Sequence, residues 1–177
     1  MNDSSVSVAK IAQILDLKNF TDNIELKKIK ITSSDVNRPA LQLTGYFEHF
    51  EQSRIQMIGN VEYAYIQQMN DEEKRIRYSA FLQFEIPCVI FCRDLQPDAI
   101  FIEQAEKNHV PILGTSRPTS EFMAELIYTL AEKLAPCITV HGVLVDVYGE
   151  GLMITGDSGI GHSEAALELI RRGHRLV

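Results

Sequence analysis

The sequence has no apolar run approaching the roughly 20 residues that a membrane-spanning helix requires. It also has no hydrophobic stretch of signal-peptide type at its start, where MNDSSVSVAK is polar. Both gaps lead to the expectation of a cytoplasmic protein with no membrane partner. Basic residues are in deficit: 17 Lys and Arg against 24 Asp and Glu, for a net charge of −7. An acidic chain is poorly suited to a phosphate backbone, so nucleic acid is not an expected partner. The runs KKIK and RRGHR are short enough to be solvated faces. Cysteine is scarce too. Cys88, Cys92 and Cys137 are odd in number and each lies in an apolar run, as structural thiols of a reducing compartment do. PCVIFC read as a strand sets Cys88 and Cys92 on one face, without the tight turn of a metal-ligand pair. No repeat and no low-complexity segment is present.

What is there is ordinary for a globular protein: 45% hydrophobic and 23% charged residues in 177. Helical spacing predicts a helix over about 5–16. LKKIKI and RIQMIG read as strands, and Asn60 is placed to cap a helix over VEYAYIQQM. EEKRIRYSAFLQF, PDAIFIEQAEKN and TSEFMAELIYTLAEKL read as further helices, interleaved with strands PCVIFC and VPILG. From about 55 to 135 the order strand, helix, strand, helix, strand, helix predicts a parallel α/β sheet with right-handed crossovers. After Pro136 the pattern changes to two β-rich runs around VYGEG, a hairpin connection, then a glycine-rich turn, a helix over SEAALELIRRG and a strand start at HRLV. The reading is therefore α/β: an N-terminal parallel-sheet domain over 1–134 of uncertain role, then the beginning of a phosphate-loop kinase domain over 135–177. About forty residues are too few for a complete nucleotide-binding core, so the second domain is expected to be truncated.

The segment LMITGDSGIGHSEAALELI carries the chemistry. Gly156 and Gly161 are separated by Asp157, Ser158, Gly159 and Ile160, and His162 and Ser163 follow. This is the spacing of a phosphate-binding loop, glycine, four residues, glycine, lysine, serine, with His162 where lysine is expected. Glycines let consecutive backbone N–H groups point at phosphate oxygens, and the following helix adds its positive N-terminus. The strand before and the helix after supply that setting. Ser163 is positioned to give its hydroxyl to Mg²⁺. An imidazole is shorter than a lysine side chain and, with an ordinary pKa of about 6.5, mostly neutral at pH 7. Weak nucleotide binding and a large loss of phosphoryl transfer are expected.

The run TVHGVLVDVYGEGLMITGDSGIGHSEAALELIRRGHRLV, with ITSSDVNRPALQLTGYFEHF and RIQMIGNVEYAYI, resembles the HPr kinase/phosphorylase family of bacterial carbon-catabolite control. The resemblance covers almost the whole chain. It implies a bifunctional enzyme that uses ATP or pyrophosphate to phosphorylate a serine of the phosphocarrier protein HPr and of HPr-like homologues. It implies the reverse reaction too, in which inorganic phosphate removes that group and pyrophosphate is released. It further implies a divalent metal, usually Mg²⁺, and homohexamers built from catalytic domains. By the same resemblance the nucleotide-binding loop falls on Gly156, Asp157, Ser158, Gly159, Ile160, Gly161, His162 and Ser163. The metal-contacting hydroxyl falls on Ser163, an active-site histidine on His141, and the active-site lysine on His162. The family's catalytic aspartate, in an acidic pair after GHRLV, falls beyond Val177. The chain itself is therefore expected to be inactive.

The residues alone leave alternatives open. His141 in a β-rich run reads first as a satisfied, half-buried structural histidine. His49, His109 and His174 read as surface residues. Glu164 suits the first turn of a helix by its charge alone. TSSDVNRP reads as a side-chain-capped turn, or as a loop that binds an anion through Arg38. The second reading of the whole chain is a non-catalytic module, for ligand sensing or assembly, with a degenerate phosphate loop.

Overall fold

The structure, a computed structural model, describes residues 4–136, 140–156 and 161–177. It divides after Pro136 into two compact units, Met1–Pro136 and Cys137–Val177.

In the first unit, β1 (Val6–Ser7) leads into α1 (Val8–Ile14), followed by β2 (Lys18–Asn19), β3 (Lys30–Ile31) and β4 (Val36–Asn37). Next come α2 (Ala40–Leu43), β5 (Ile55–Ile58), α3 (Asn60–Gln67) and α4 (Asp71–Leu82). The unit closes with β6 (Val89–Phe91), α5 (Ala99–Lys107), β7 (Ile112–Gly114) and α6 (Thr119–Leu134). Strands β4, β5, β6 and β7 are parallel and lie side by side in sequence order; the alternating pattern predicted the parallel sheet for β5 to β7, whereas β4 falls in TSSDVNRP, read as a turn. β2 adds antiparallel to β7 at one edge.

Both faces of this sheet are covered, which explains why its strands read as continuous apolar runs. Successive side chains alternate between the layers. Ile55, Met57, Cys88, Ile90, Cys92 and Leu113 pack with Val8, Ile11 and Leu15 of α1 and with Phe122, Leu126 and Leu130 of α6. Ile58, Val89, Phe91 and Ile112 face the other way, against Ile66 of α3, Phe81 and Leu82 of α4, and Phe101 of α5. Each fully buried Ile, Leu or Phe contributes about 1.5–3 kcal/mol. Asp98 locks two helices of that layer: its carboxylate caps α5 through the Phe101 N–H at 2.9 Å and accepts from the Tyr78 hydroxyl on α4 at 3.0 Å. Burial, then the Asp98 carboxylate, pushes the Tyr78 phenol pKa up, so it remains a donor.

Local differences from the sequence expectation have identifiable causes. The first helix is shorter than 5–16, because Val6 and Ser7 pair with Ile31 and Lys30 and Ser7 then caps α1. LKKIKI yields only the two strand residues of β3. Asn60 is the first helical residue of α3, not its cap. The carboxylate of Glu62, three residues on, reaches back to the Gly59 N–H at 3.0 Å and does the capping instead.

The second unit comprises β8 (Gly142–Val147), β9 (Glu150–Thr155), α7 (His162–Arg171) and β10 (Arg175–Leu176). β8 and β9 form the expected hairpin, with Tyr148 and Gly149 at φ of 57° and 89° making its two-residue turn. β10 pairs antiparallel with β8 on its other side. Among the described residues only Val145 and Ala166 form a buried apolar pair here, while Leu152, Met153, Leu167 and Leu176 are exposed.

Candidate functional site

Strand pairing assembles the first part of the site. Gly142 on β8 lies opposite Thr155 on β9. His141 and Gly156 are the residues that flank this pair in the chain, just outside the two strands. The strands approach so closely that a Cβ on Gly142 would sit 2.6 Å from the Ile154 carbonyl oxygen. His141 is exposed, not half-buried, because it lies just outside β8 where the hairpin ends.

The start of α7 supplies the second part. Gly161 occupies the N-cap with φ of 98°, left-handed backbone that costs other residues about 1–2 kcal/mol. Gly161 offers no capping side chain, so among the described residues the first-turn N–H groups retain capacity for an external acceptor. Ser163 is exposed in that turn. His162 is partly buried, and its Nε2 has no hydrogen-bond partner among the described residues. Glu164 is the acid of the first turn. Asp157, Ser158, Gly159 and Ile160, which complete the motif, lie outside the described residues, as does Cys137. A strand and a helix start joined through a short glycine-rich sequence suit a phosphate group. The exposed Ser163 hydroxyl is a hard oxygen donor of the kind Mg²⁺ takes.

The other histidines fall elsewhere. His174 stacks edge-on against Tyr148, with ring centroids 4.8 Å apart, at the turn end of the hairpin and away from Gly156. His49 and His109 are exposed and hold positive φ of 58° and 56°. Cys88 and Cys92 are buried in the sheet, and burial pushes their thiols up to about 12 and about 11. That setting suits inert thiols, not nucleophiles.

In the first unit the TSSDVNRP loop both makes a turn and points a cation. Ser33 accepts from the Asp35 N–H at 3.2 Å, Asn37 donates to the buried Gln56 at 2.7 Å, and Arg38 reaches Glu62 at 2.5 Å. Arg93 and Thr119, which the sequence reading did not single out, join Arg38 in lining one recess. Their position just after parallel strands was the available signal, since ligands gather at the carboxyl ends of such strands.

The chain thus has the layout of a two-part protein, in which a covered α/β sheet precedes a strand, glycine-rich turn and helix. Two family models match it: "HPr Serine kinase N terminus" over residues 6–130 and "HPr Serine kinase C-terminal domain" over residues 132–177. The chain belongs to the HPr kinase/phosphorylase family. It is 51% identical to an HPr kinase/phosphorylase of Lachnoclostridium phytofermentans over 173 residues, 98% of this chain and 56% of that protein. It is 48% identical to one from Caldanaerobacter subterraneus subsp. tengcongensis over 97% of this chain and 56% of that protein. A relative from Clostridium botulinum, strain Eklund 17B, is 46% identical with the same 98% and 56% coverage. The chain therefore spans little more than half the length of these relatives. Among solved structures it resembles the CBS and DRTGG domains of the regulatory region of Clostridium perfringens pyrophosphatase, complexed with diadenosine tetraphosphate. That match has a TM-score of 0.51 and 17% identity, over 77% of this chain and 53% of the other, and speaks to fold alone.

Proposed function

We propose that this chain is the N-terminal domain and the opening of the catalytic domain of an HPr kinase/phosphorylase. The full reaction is ATP- or pyrophosphate-dependent phosphorylation of a serine in HPr or an HPr-like homologue, and its phosphorolytic reversal, in carbon catabolite repression. The observation that carries this reading is the β8–β9 pairing, which ends at Gly142 and Thr155, the residues next to His141 and Gly156, together with Gly161 opening α7. In this reading the loop from Gly156 to Ser163 binds the donor's phosphates through backbone N–H groups, and the helix start adds its partial positive charge. Ser163 holds Mg²⁺, which neutralises charge on the phosphate oxygens when bound. In the same reading His141 hydrogen-bonds a phosphoryl oxygen. His162 replaces the lysine that would reach the outer phosphates, and so the chain binds donor weakly and transfers poorly or not at all. Cytoplasmic location and hexamers formed through catalytic domains complete the proposal. Among the described residues no helix is long and apolar enough to cross a membrane.

The test is transfer of labelled phosphate to HPr by a protein extended to the full length of its relatives, with and without His162→Lys. Transfer that appears or rises strongly in the lysine variant supports the reading. Equal transfer by both proteins would remove the role given to the lysine position. A second reading, a sensing or assembly module with a degenerate loop, rests on the exchanged residue 162 itself. It is favoured if neither protein transfers phosphate.

A further inference from the structure

The first unit contains a recess of about 210 Å³ at the carboxyl edge of its parallel sheet, lined by Arg38, Asn60, Val61, Arg93, Thr119 and Ser120. Arg38 follows β4, Asn60 opens α3 after β5, and Arg93 follows β6. Thr119 and Ser120 open α6. Helices α3 and α6 pack on opposite faces of the sheet, through Ile66 and through Phe122, so their N-termini converge from both sides over the strand ends. The N-cap residues, Gly59 for α3 and Pro118 for α6, offer no capping side chain of their own, and Glu62 takes the Gly59 N–H of α3. Helix starts of 8 and 16 residues thus direct N–H groups and partial positive charge into one place.

Two further observations point to a ligand. First, Thr119 is 7% exposed and its hydroxyl, closed off from solvent, meets no oxygen or nitrogen partner among the described residues. The Cys92 sulfur takes a hydrogen bond from it, but sulfur is a weak acceptor. Buried hydroxyls are rarely left in this state. Secondly, the charged residues that line the recess are both cations, while Glu62 and Glu121 stand in the first turns of α3 and α6. Arg38 is offset by Glu62, which is 3% exposed and also takes the Gly59 N–H. Arg93 is exposed and makes no ion pair among the described residues. It and Asp94 both hold positive φ, of 61° and 55°, a strained pair at the end of a central strand. Gly59 sits at the centre: a Cβ there would lie 2.8 Å from Arg38 Nη2 and 2.8 Å from the Thr119 hydroxyl. Only glycine leaves both groups their present place.

We propose that this recess is an anion site that takes the dianionic phosphate of a small molecule, free or esterified. Arg93 and Arg38 supply charge, the first-turn N–H groups of α3 and α6 donate to the oxygens, and Thr119 and Ser120 add hydroxyls. The site is separate from the glycine-rich turn of the second unit and does not depend on the function proposed for it.

The experiment is a nitrogen-15 NMR titration of the whole 177-residue chain with inorganic phosphate in one arm and glycerol phosphate in the other, at constant ionic strength. The amides of Asn60, Val61, Thr119, Ser120 and Glu121 are expected to shift and saturate with at least one probe, and the tighter arm identifies a free or an esterified ligand. Arg93→Gln is expected to weaken that binding about tenfold or more, as loss of a charge-assisted hydrogen bond does. Thr119→Val should weaken it several-fold without lowering the melting temperature in phosphate-free buffer. Ser163→Ala should leave these shifts unchanged. Shifts that do not saturate with either probe, or that Arg93→Gln leaves unchanged, would overturn the proposal.

Discussion

Removing Arg38 should destabilise the first unit through a carboxylate that it never touches in sequence. Glu62 is 3% exposed and its Oε2 accepts from Arg38 Nη2 at 2.5 Å and from the Gly59 N–H at 3.0 Å. Arg38→Met leaves that buried charge with one neutral donor. Breaking a buried pair in this way costs about 3–5 kcal/mol. The Arg38 side chain is 39% exposed, so water reaches the guanidinium and the expected cost falls to roughly 2–3 kcal/mol. A unit of 136 residues unfolds with about 2.1 cal/mol/K per residue, or roughly 3.5 °C for each kcal/mol. Arg38→Met should therefore lower the melting temperature by roughly 7–10 °C, read by circular dichroism. Glu62→Gln removes the charge that needs a partner. The double variant should then be at least about 1 kcal/mol more stable than the sum of the two single effects predicts. Effects that add to within about 0.5 kcal/mol would show that the pair is not coupled and would refute the reasoning.

Three other outcomes follow from particular residues. Gly161→Ala places a Cβ at φ of 98° and should cost about 1–2 kcal/mol, seen as loss of α7 helicity and of any phosphate protection at that turn. Cys88 and Cys92 have thiols raised from 9.0 to about 12 and about 11 by burial. Their stabilising contribution is intact below pH 9 and is lost as pH rises towards those values, because the unfolded chain releases the protons first. The urea midpoint should therefore fall more steeply above pH 9 for this chain than for Cys88→Ala, and equal slopes would count against it. The segment 137–177 made alone should give a coil-like circular dichroism spectrum. Val145 and Ala166 are its buried apolar pair among the described residues, far short of a core. A cooperative melting transition would contradict this.

Much of the fold was legible because apolar spacing and punctuation agree. Pro118 and Pro136 bracket α6, and its span Thr119–Leu134 matches the sequence reading. The alternation of Ile55, Met57 and Ile58, and of Cys88 through Cys92, shows both faces buried, hence a parallel sheet. β2 was not legible: Lys18–Asn19 is two residues without alternation, held only by long-range pairing to β7. Helix starts slipped by one where a side chain three residues inside the helix does the capping, as Glu62 does for Gly59. The strand before the glycine-rich segment and the helix after it were legible from the sequence pattern, whereas the exposure of His141 depends on where β8 begins, which composition does not encode. Arg93 and Thr119 are far apart in sequence and meet only through the sheet order, so no local pattern joins them.

The claim that the turn from Gly156 to Ser163 is a phosphate site weakened by His162 is tested most directly by calorimetric titration with Mg²⁺–ATP and Mg²⁺–pyrophosphate. The chain is compared with its His162→Lys variant. The account predicts weak binding by the chain and binding at least about tenfold tighter by the lysine variant, the gain of one charge-assisted hydrogen bond. Equal affinities, or no binding by either protein at millimolar ligand, would contradict it.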